Sequence, residues 1–471
     1  MLHVGRSRYS QFVARCFLVF IWGLVGTVHA RSAQSAAPAM SSSSSVSIPG
    51  PQALAARWEQ VHSKALPVAP LVRHPDVEQH LKALQARAPD LFQLEVAGHS
   101  VEGRALYHVT LGTGPRHILL WSQMHGDEPT ATTALLDFFE YLRTHREEPW
   151  VARLLSSLTL HAVPMLNPDG AERFQRRNAQ GIDINRDALA LQTPEARTLK
   201  SLRDKFQPSV GFNLHNQSWR HAVGDTGRPA SISLLAPAFD RARSDNPGRI
   251  LAKKVCAVIR DAVETLAPGQ VGRYDDSFEV RAFGDNMTLW GTPTVLIETG
   301  AWLSLPPDEP LVRLNFVALA TALDALANGQ AEKADVSRYD SIPENESSGL
   351  VHLLLKGVGM FGADGKPFTG DVGIAVSRAV RGQGKKLLLA HVGKVEELGD
   401  LRILGAVETV DGKGLFVVPL TGKGAKPGDT YRLTRPAKQS LSLGQRADLM
   451  LLKPLEASDT FRIERIIRFD P

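Results

Sequence analysis

From residue 51 to residue 328 short apolar runs alternate with longer stretches of helical period, and beyond residue 348 the helical period disappears. Strands repeat every two residues and helices every 3.6, so such a pattern fixes element type before any other property is weighed. Residues 117–122, 158–165, 210–214 and 294–297 read as strands. Residues 129–144, 195–206, 250–266 and 311–327 read as helices, the first carrying an apolar stripe of Leu135, Leu136, Phe138, Phe139 and Leu142 and the last closing at Asn328-Gly329. Strand–helix alternation predicts an α/β domain over 51–329, with a mainly parallel or mixed sheet flanked by helices.

Residues 330–348 are polar, charged and without period, and read as a linker. Past them, β-rich runs at 351–355, 386–391, 415–419 and 430–433 are separated by turns such as Asp411-Gly412. Residues 349–471 therefore read as a smaller all-β domain, a sandwich or small barrel with an accessory role. A length of 471 residues suits two domains.

The first fifty residues read differently again. Arg6, Arg8 and Arg15 precede an apolar run at 16–28, and Val28-His29-Ala30 offers the small residues of a cleavage site. The run is shorter than the roughly 20 residues of a membrane span, so residues 1–30 read as a signal peptide and the protein as periplasmic or secreted, with no membrane attachment after cleavage. Residues 31–50 form an Ala- and Ser-rich flexible leader. Three of the five net positive charges lie in the first thirty residues, which hold no acidic residue, so the remainder carries +2. That gives no electrostatic argument for nucleic acid. Cys16 falls in the signal segment and leaves Cys256 alone, so no intrachain disulfide is expected.

The strongest chemical signal is Met124-His-Gly-Asp-Glu128, between the strand at 117–122 and the helix at 129–144. Sites in α/β sheets form at the carboxyl ends of strands. A His and a Glu three residues apart across such a turn can share a cation, and a catalytic zinc usually takes three protein ligands and keeps one position open. His215, in Asn213-Leu-His-Asn216 at the end of another strand, supplies a third. Asn167-Pro-Asp-Gly170 ends the strand at 158–165. The loop after it holds Arg173, Arg176, Arg177 and Arg186, whose guanidinium forks match a carboxylate. The strand at 294–297 runs straight into Glu298, and a carboxylate there is costly unless it is paired or working.

Taken together, these motifs resemble the zinc carboxypeptidase family, the funnelins, over roughly residues 75–328. Gly98-His-Ser-Val-Glu-Gly-Arg104 resembles the opening signature, His125-x-x-Glu128 the first zinc motif, and Asn167–Gly170 and Gly181-Ile-Asp-Ile-Asn-Arg186 two further blocks. The resemblance implies a carboxypeptidase-like mixed sheet and one zinc ion held by His125, Glu128 and His215. It implies Glu298 as general base towards a zinc-activated water, Arg176 as oxyanion stabiliser with Arg177 as the alternative, and Asn185 and Arg186 as the grip on the terminal carboxylate of a peptide substrate. One departure concerns a Tyr that the family places before a Trp-containing segment. That segment resembles Gly284–Trp290 here; Arg281 or a neighbour falls at the Tyr position, and the nearest Tyr is Tyr274. Asp285 reads as a turn residue before it reads as a partner for a basic group.

The expected activity is hydrolysis of C-terminal peptide bonds, cell-wall stem peptides included. An aspartoacylase- or succinylglutamate desuccinylase-like deacylase, which shares the His-x-x-Glu and the later His, is the alternative. A non-catalytic binding protein on the same scaffold is a third reading, opposed by the intact Glu298 and ligand set. The Asn-Pro-Asp-Gly block, the signal pattern and the β domain favour the peptidase.

Overall fold

Among the described residues, nine strands precede residue 300: β1 (Phe92–His99), β2 (Ala105–Leu111), β3 (Arg116–Ser122), β4 (Leu158–Val163), β5 (Val210–Asn216), β6 (Ala222–Val223), β7 (Ile232–Leu235), β8 (Val271–Arg273) and β9 (Thr294–Thr299). All but β6 form one eight-stranded mixed sheet in the order β1-β2-β4-β3-β5-β9-β7-β8. The central strands β4, β3, β5 and β9 are mutually parallel, while β1–β2, β2–β4 and β7–β9 are antiparallel. This is the computed structural model of the chain, and it describes residues 47–62, 71–303, 308–382, 388–421, 424–456 and 459–469. The expected signal peptide, nearly all of the expected leader and residues 386–387 of an expected strand lie outside the described residues.

Strands β4 and β9 are buried along their whole length, as covered strands of a parallel sheet must be. Alternate residues of β3 serve opposite faces. Ile118 and Leu120 join the larger apolar core, under the helices Thr130–Thr144, Pro247–Glu264 and Asp308–Ala327. Leu119 and Trp121 join a second core with Leu199, Phe283 and Met287, on the side of the helices Pro194–Phe206 and Phe283–Leu289. Helix Asp308–Ala327 is long and apolar enough to cross a bilayer, but it is mostly buried in the first core. Cys256 is free and buried there.

The strands and helices expected between residues 117 and 327 are present, with ends shifted by up to three residues, while the expected strands at 351–355 and 386–391 run on to residues 361 and 399. The pattern did not announce β1, β2, β7 and β8 or the helices Pro51–Val61 and His74–Arg87. β1 is an edge strand with most side chains partly or fully exposed, and β8 is three residues long, so neither has an apolar run to show.

Among the described residues, the C-terminal part holds eight strands and one short turn of 3-10 helix: β11 (Leu350–Phe361), β12 (Pro367–Arg381), β13 (Leu388–Gly399), β14 (Gly405–Asp411), β15 (Phe416–Pro419), β16 (Thr430–Arg432), β17 (Leu449–Pro454) and β18 (Thr460–Ile467). Hydrogen bonds join them into one sheet, β13-β12-β11-β15-β17-β18-β16, with β14 beside β11, and residues 444–447, which lead into β17, also bond to residues 393–395 of β13. Two apolar clusters divide by residue parity: Leu449 and Leu451 in one, Met450 and Leu452 in the other, so each lies on its own face.

The segment read as a linker is docked, not free-running. Short helical turns at Ala331–Lys333 and Ser337–Asp340 bury Ala331, Tyr339 and Ile342 in the first core, and the Tyr339 hydroxyl accepts from the Ala236 amide at 3.2 Å. Strand β10 (Asn345–Glu346) then pairs antiparallel with β6. Three core-facing apolar side chains, at irregular spacing in a mostly polar stretch, are too few to create a period.

Candidate metal centre

The turn that follows β3 is forced. Gln123 has φ 46°, a left-handed conformation that costs a non-glycine residue on the order of 1 kcal/mol. Its buried side chain is bonded to compensate: Nε2 donates to the carbonyls of Val72 (3.2 Å) and Gly126 (3.1 Å), and Oε1 accepts from Thr132 Oγ1 (3.0 Å). Gly126 lies against the backbone of Gly170, where a Cβ would sit 2.0 Å from a carbonyl carbon. The glycines of the His-Gly-Asp-Glu and Asn-Pro-Asp-Gly motifs are thus the surfaces on which the two turns pack.

This packing brings His125 and Glu128 to His215, at the end of β5. The His125 and His215 Nδ1 atoms are 3.2 Å apart, and Glu128 places Oε1 2.8 Å from the first and Oε2 2.7 Å from the second. All three residues are buried, and their ligand-type atoms lie within 4.8 Å of one another. Asp183, missed as a site residue, stands behind His125 with Oδ1 3.1 Å from Nε2. A proton on Nε2 leaves the Nδ1 lone pair directed at the Glu128 carboxylate, an arrangement that asks for a cation between them. The electrostatics agree. Burial alone would lower the His125 pKa, but Glu128 and then Asp183 outweigh it and raise it to about 9. Two imidazole nitrogens and a carboxylate, with an outer carboxylate orienting one ring, are a donor set that fits zinc.

Glu298 is the register partner of His215 across the parallel β5–β9 pair. It is 7% exposed, and its Oε2 has no hydrogen-bond partner among the described residues. Burial, and after it the negative charge of Glu128, push its carboxyl well above the usual range.

Arg176 and not Arg177 reaches the cluster. Arg176 Nε lies 3.0 Å from Asp183 Oδ2, and Nη1 lies 3.2 Å from Glu128 Oε1, whereas Arg177 donates to the Gly181 carbonyl. Asn167 sets the backbone: Oδ1 accepts from the Gly170 amide at 2.9 Å and Nδ2 donates to the Arg176 carbonyl at 3.1 Å. Asp169 ties in the Gly98–Arg104 stretch, accepting from Ser100 Oγ, the Glu102 amide and Arg104 Nη1 at 2.7, 3.0 and 2.6 Å. Arg173 bonds Glu102 and stays outside the cluster.

Asn185 Oδ1 accepts from the Phe283 amide at 2.9 Å, which directs Nδ2 elsewhere. Arg186 donates to the Asn185 carbonyl at 2.8 Å and keeps Nε 3.4 Å from Glu279 Oε2. Arg281 is exposed and bonded to Glu279. Tyr274 follows β8, and its amide donates at 3.1 Å to the Leu234 carbonyl of β7, the strand paired with that of Glu298; the Glu298 carboxylate, ahead of burial, raises its phenol pKa. Asp285 accepts from the Glu279 amide as a turn residue does, and burial pushes its carboxyl up to about 7.

Residues 77–225 match the family model described as zinc carboxypeptidase. Over that stretch, about a third of its length, the chain is similar to zinc carboxypeptidases. The matched stretch holds His125, Glu128, Arg176, Asn185, Arg186 and His215 but ends before Glu298. Carboxypeptidase 2 of Trichophyton rubrum is 33% identical over 111 residues, 23% of this chain and 20% of that protein. Carboxypeptidase M of Mus musculus is 30% identical over 128 residues, 24% and 29% of the two chains. This chain therefore spans about a fifth to a third of the length of such carboxypeptidase relatives. Among solved structures, a metallo-carboxypeptidase from Burkholderia cenocepacia is similar over 54% of this chain and 69% of its own, at 18% identity and a TM-score of 0.43.

Proposed function

We propose that this protein is an exported zinc-dependent metallocarboxypeptidase that removes C-terminal residues from peptides, with cell-wall stem peptides among its candidate substrates. The observation that carries the reading is the convergence of His125, Glu128 and His215 directly beside Glu298, the register partner of His215. Export rests on the basic, apolar and small-residue pattern of the first thirty residues.

Held by His125, Glu128 and His215, zinc would polarise the scissile carbonyl and bring the pKa of a water towards about 7. The residues around it divide the remaining work. Asn185 Nδ2 and the Arg186 fork bind the terminal carboxylate of the peptide, displacing the Glu279 carboxylate that Arg186 now faces. Glu298 accepts the proton released as the water adds to the carbonyl and returns it to the departing amine. Its buried, unpartnered Oε2 favours the protonated form, which assists the uptake step and keeps the proton on the carboxyl until the amine departs. Arg176, anchored by Asp183, offers positive charge to the developing oxyanion without moving far.

Mass spectrometry of a mixed peptide and muropeptide library tests the reading. Loss of single C-terminal residues, abolished by a chelator and restored by zinc, is the expected result. Release of acyl groups from N-acyl amino acids with the peptides untouched would replace it with the deacylase.

A further inference from the structure

The segment that joins the two sheets reaches into the framework of the site through one side chain. Asn345, in β10, donates from Nδ2 to Gln217 Oε1 at 2.8 Å and accepts at Oδ1 from Ser233 Oγ at 3.0 Å. Gln217 lies one residue past the end of β5, which bears His215, and Ser233 lies in β7, which pairs with β9, the strand of Glu298. Gln217 follows His215 by two residues, and its amide donates to the Thr299 carbonyl at 2.9 Å, one residue past Glu298. Ser233 is the register partner of Glu298 in the antiparallel β7–β9 pair. Gln217 Nε2 also donates to Ser233 Oγ at 2.8 Å, so the three side chains close on one another.

A third strand is involved through shape. A Cβ on Gly272 would lie 2.0 Å from Asn345 Oδ1, so the absence of a side chain there is what admits the amide. Gly272 lies in β8, two residues before Tyr274. The same linker segment fixes this strand by its backbone, with the Arg273 amide donating to the Pro343 carbonyl at 2.7 Å.

We propose that Asn345 is a positioning residue for the zinc centre. It sets the spacing of the ends of β5, β9 and β8, and through them the relative placement of His215, Glu298 and Tyr274. The proposal rests on the carboxypeptidase reading for its kinetic consequences but not for its geometric one. An amide is required: the site needs a donor towards Gln217 Oε1 and an acceptor towards Ser233 Oγ, and an aspartate of the same shape offers acceptors only. Misplacement of reacting groups by about 1 Å can cost on the order of 100-fold in rate while leaving binding less affected.

The test uses the full chain loaded with zinc or with cobalt(II), whose visible spectrum reports ligand geometry without turnover. Asn345→Asp disturbs the knot from the linker side and Gly272→Ala from the opposite side. Both are expected to lower kcat by about 10-fold or more with KM changed by about twofold at most, at full metal content, and both should alter the cobalt spectrum in the same direction. If Asn345→Asp does not fold, Asn345→Ser, which removes the amide without adding charge, is read in the same way. A lowered thermal midpoint with wild-type kcat and an unchanged cobalt spectrum in the metal-loaded variants would overturn the proposal and leave Asn345 a structural residue. If the wild-type protein turns over no peptide, the carboxypeptidase reading fails by itself, and the cobalt spectra alone decide for or against Asn345.

Discussion

Asp183 Oδ1 stands 3.1 Å from Nε2 of His125, on the opposite edge of the imidazole from Glu128. Burial works against a charged carboxylate here, but bonds from His125 and Arg176 outweigh it and hold Asp183 well below the usual range. The residue thus fixes the tautomer of a metal ligand and anchors the arginine aimed at the same space. Asp183→Ala should weaken zinc binding about 10- to 100-fold, measured by competition with a chromogenic chelator. Unchanged affinity would show that His125 is oriented by other means.

Glu298→Gln keeps size and removes the proton acceptor. Turnover is expected to fall by roughly 10²- to 10⁴-fold while zinc content, followed by atomic emission, stays at one ion per chain. Loss of zinc together with activity would instead make Glu298 part of the metal-holding set.

Arg186→Lys keeps the charge and loses the planar fork. Cleavage of a free-acid peptide should weaken by about 10-fold or more, and cleavage of its C-terminal amide far less. Arg186 now faces Glu279, so Glu279→Gln should act in the opposite sense and lower KM for the free acid. Equal effects of Arg186→Lys on the two substrates would remove the terminal-carboxylate role.

The cluster of His125, Glu128 and His215 was legible because the first two lie in the turn that follows one apolar strand and the third near the end of another, where a polar side chain has no packing role. Glu298 was legible on the same ground. Asp183 was not, because a single Asp between Ile182 and Ile184 in a loop has no period to contrast with, although it shares a motif with Asn185 and Arg186. Tyr274 was set aside because the expected spacing to the Trp segment pointed to Arg281, and a loop of variable length separates sequence spacing from spatial placement. Asn345 gave no signal at all. Its partners are 128 and 112 residues away in sequence, and pairings that distant depend on the whole sheet being formed.

One row of side chains lies away from the metal cluster and sets the response to acid. Glu95, His108, His161 and His117 come from β1, β2, β4 and β3, which are adjacent in the sheet. They join end to end: His108 Nδ1 to Glu95 Oε1 at 2.7 Å, His108 Nε2 to His161 Nδ1 at 3.1 Å, and His161 Nε2 to His117 Nδ1 at 2.9 Å. Three neutral imidazoles supply one N–H for each of these three bonds, all pointing towards Glu95. A proton added to His161 would set N–H against N–H. Burial, then the neighbouring His108, His117 and Lys205, lower the His161 pKa to about 3, and Phe206 stacks on its ring at 3.7 Å. The unfolded chain takes up this proton near pH 6.5 and the folded chain only near pH 3. Between those values the unfolded state binds more protons, so the contribution is complete above about pH 6.5 and is lost progressively as pH falls to about 3. At pH 5 the loss from His161 alone is roughly 2 kcal/mol. Urea unfolding of wild type and His161→Gln at pH 7 and pH 5 isolates the term, because protonation of the metal ligands affects both proteins equally. The wild-type protein should lose more stability over that interval than the variant, and equal losses would mean that the row titrates no differently from exposed histidines.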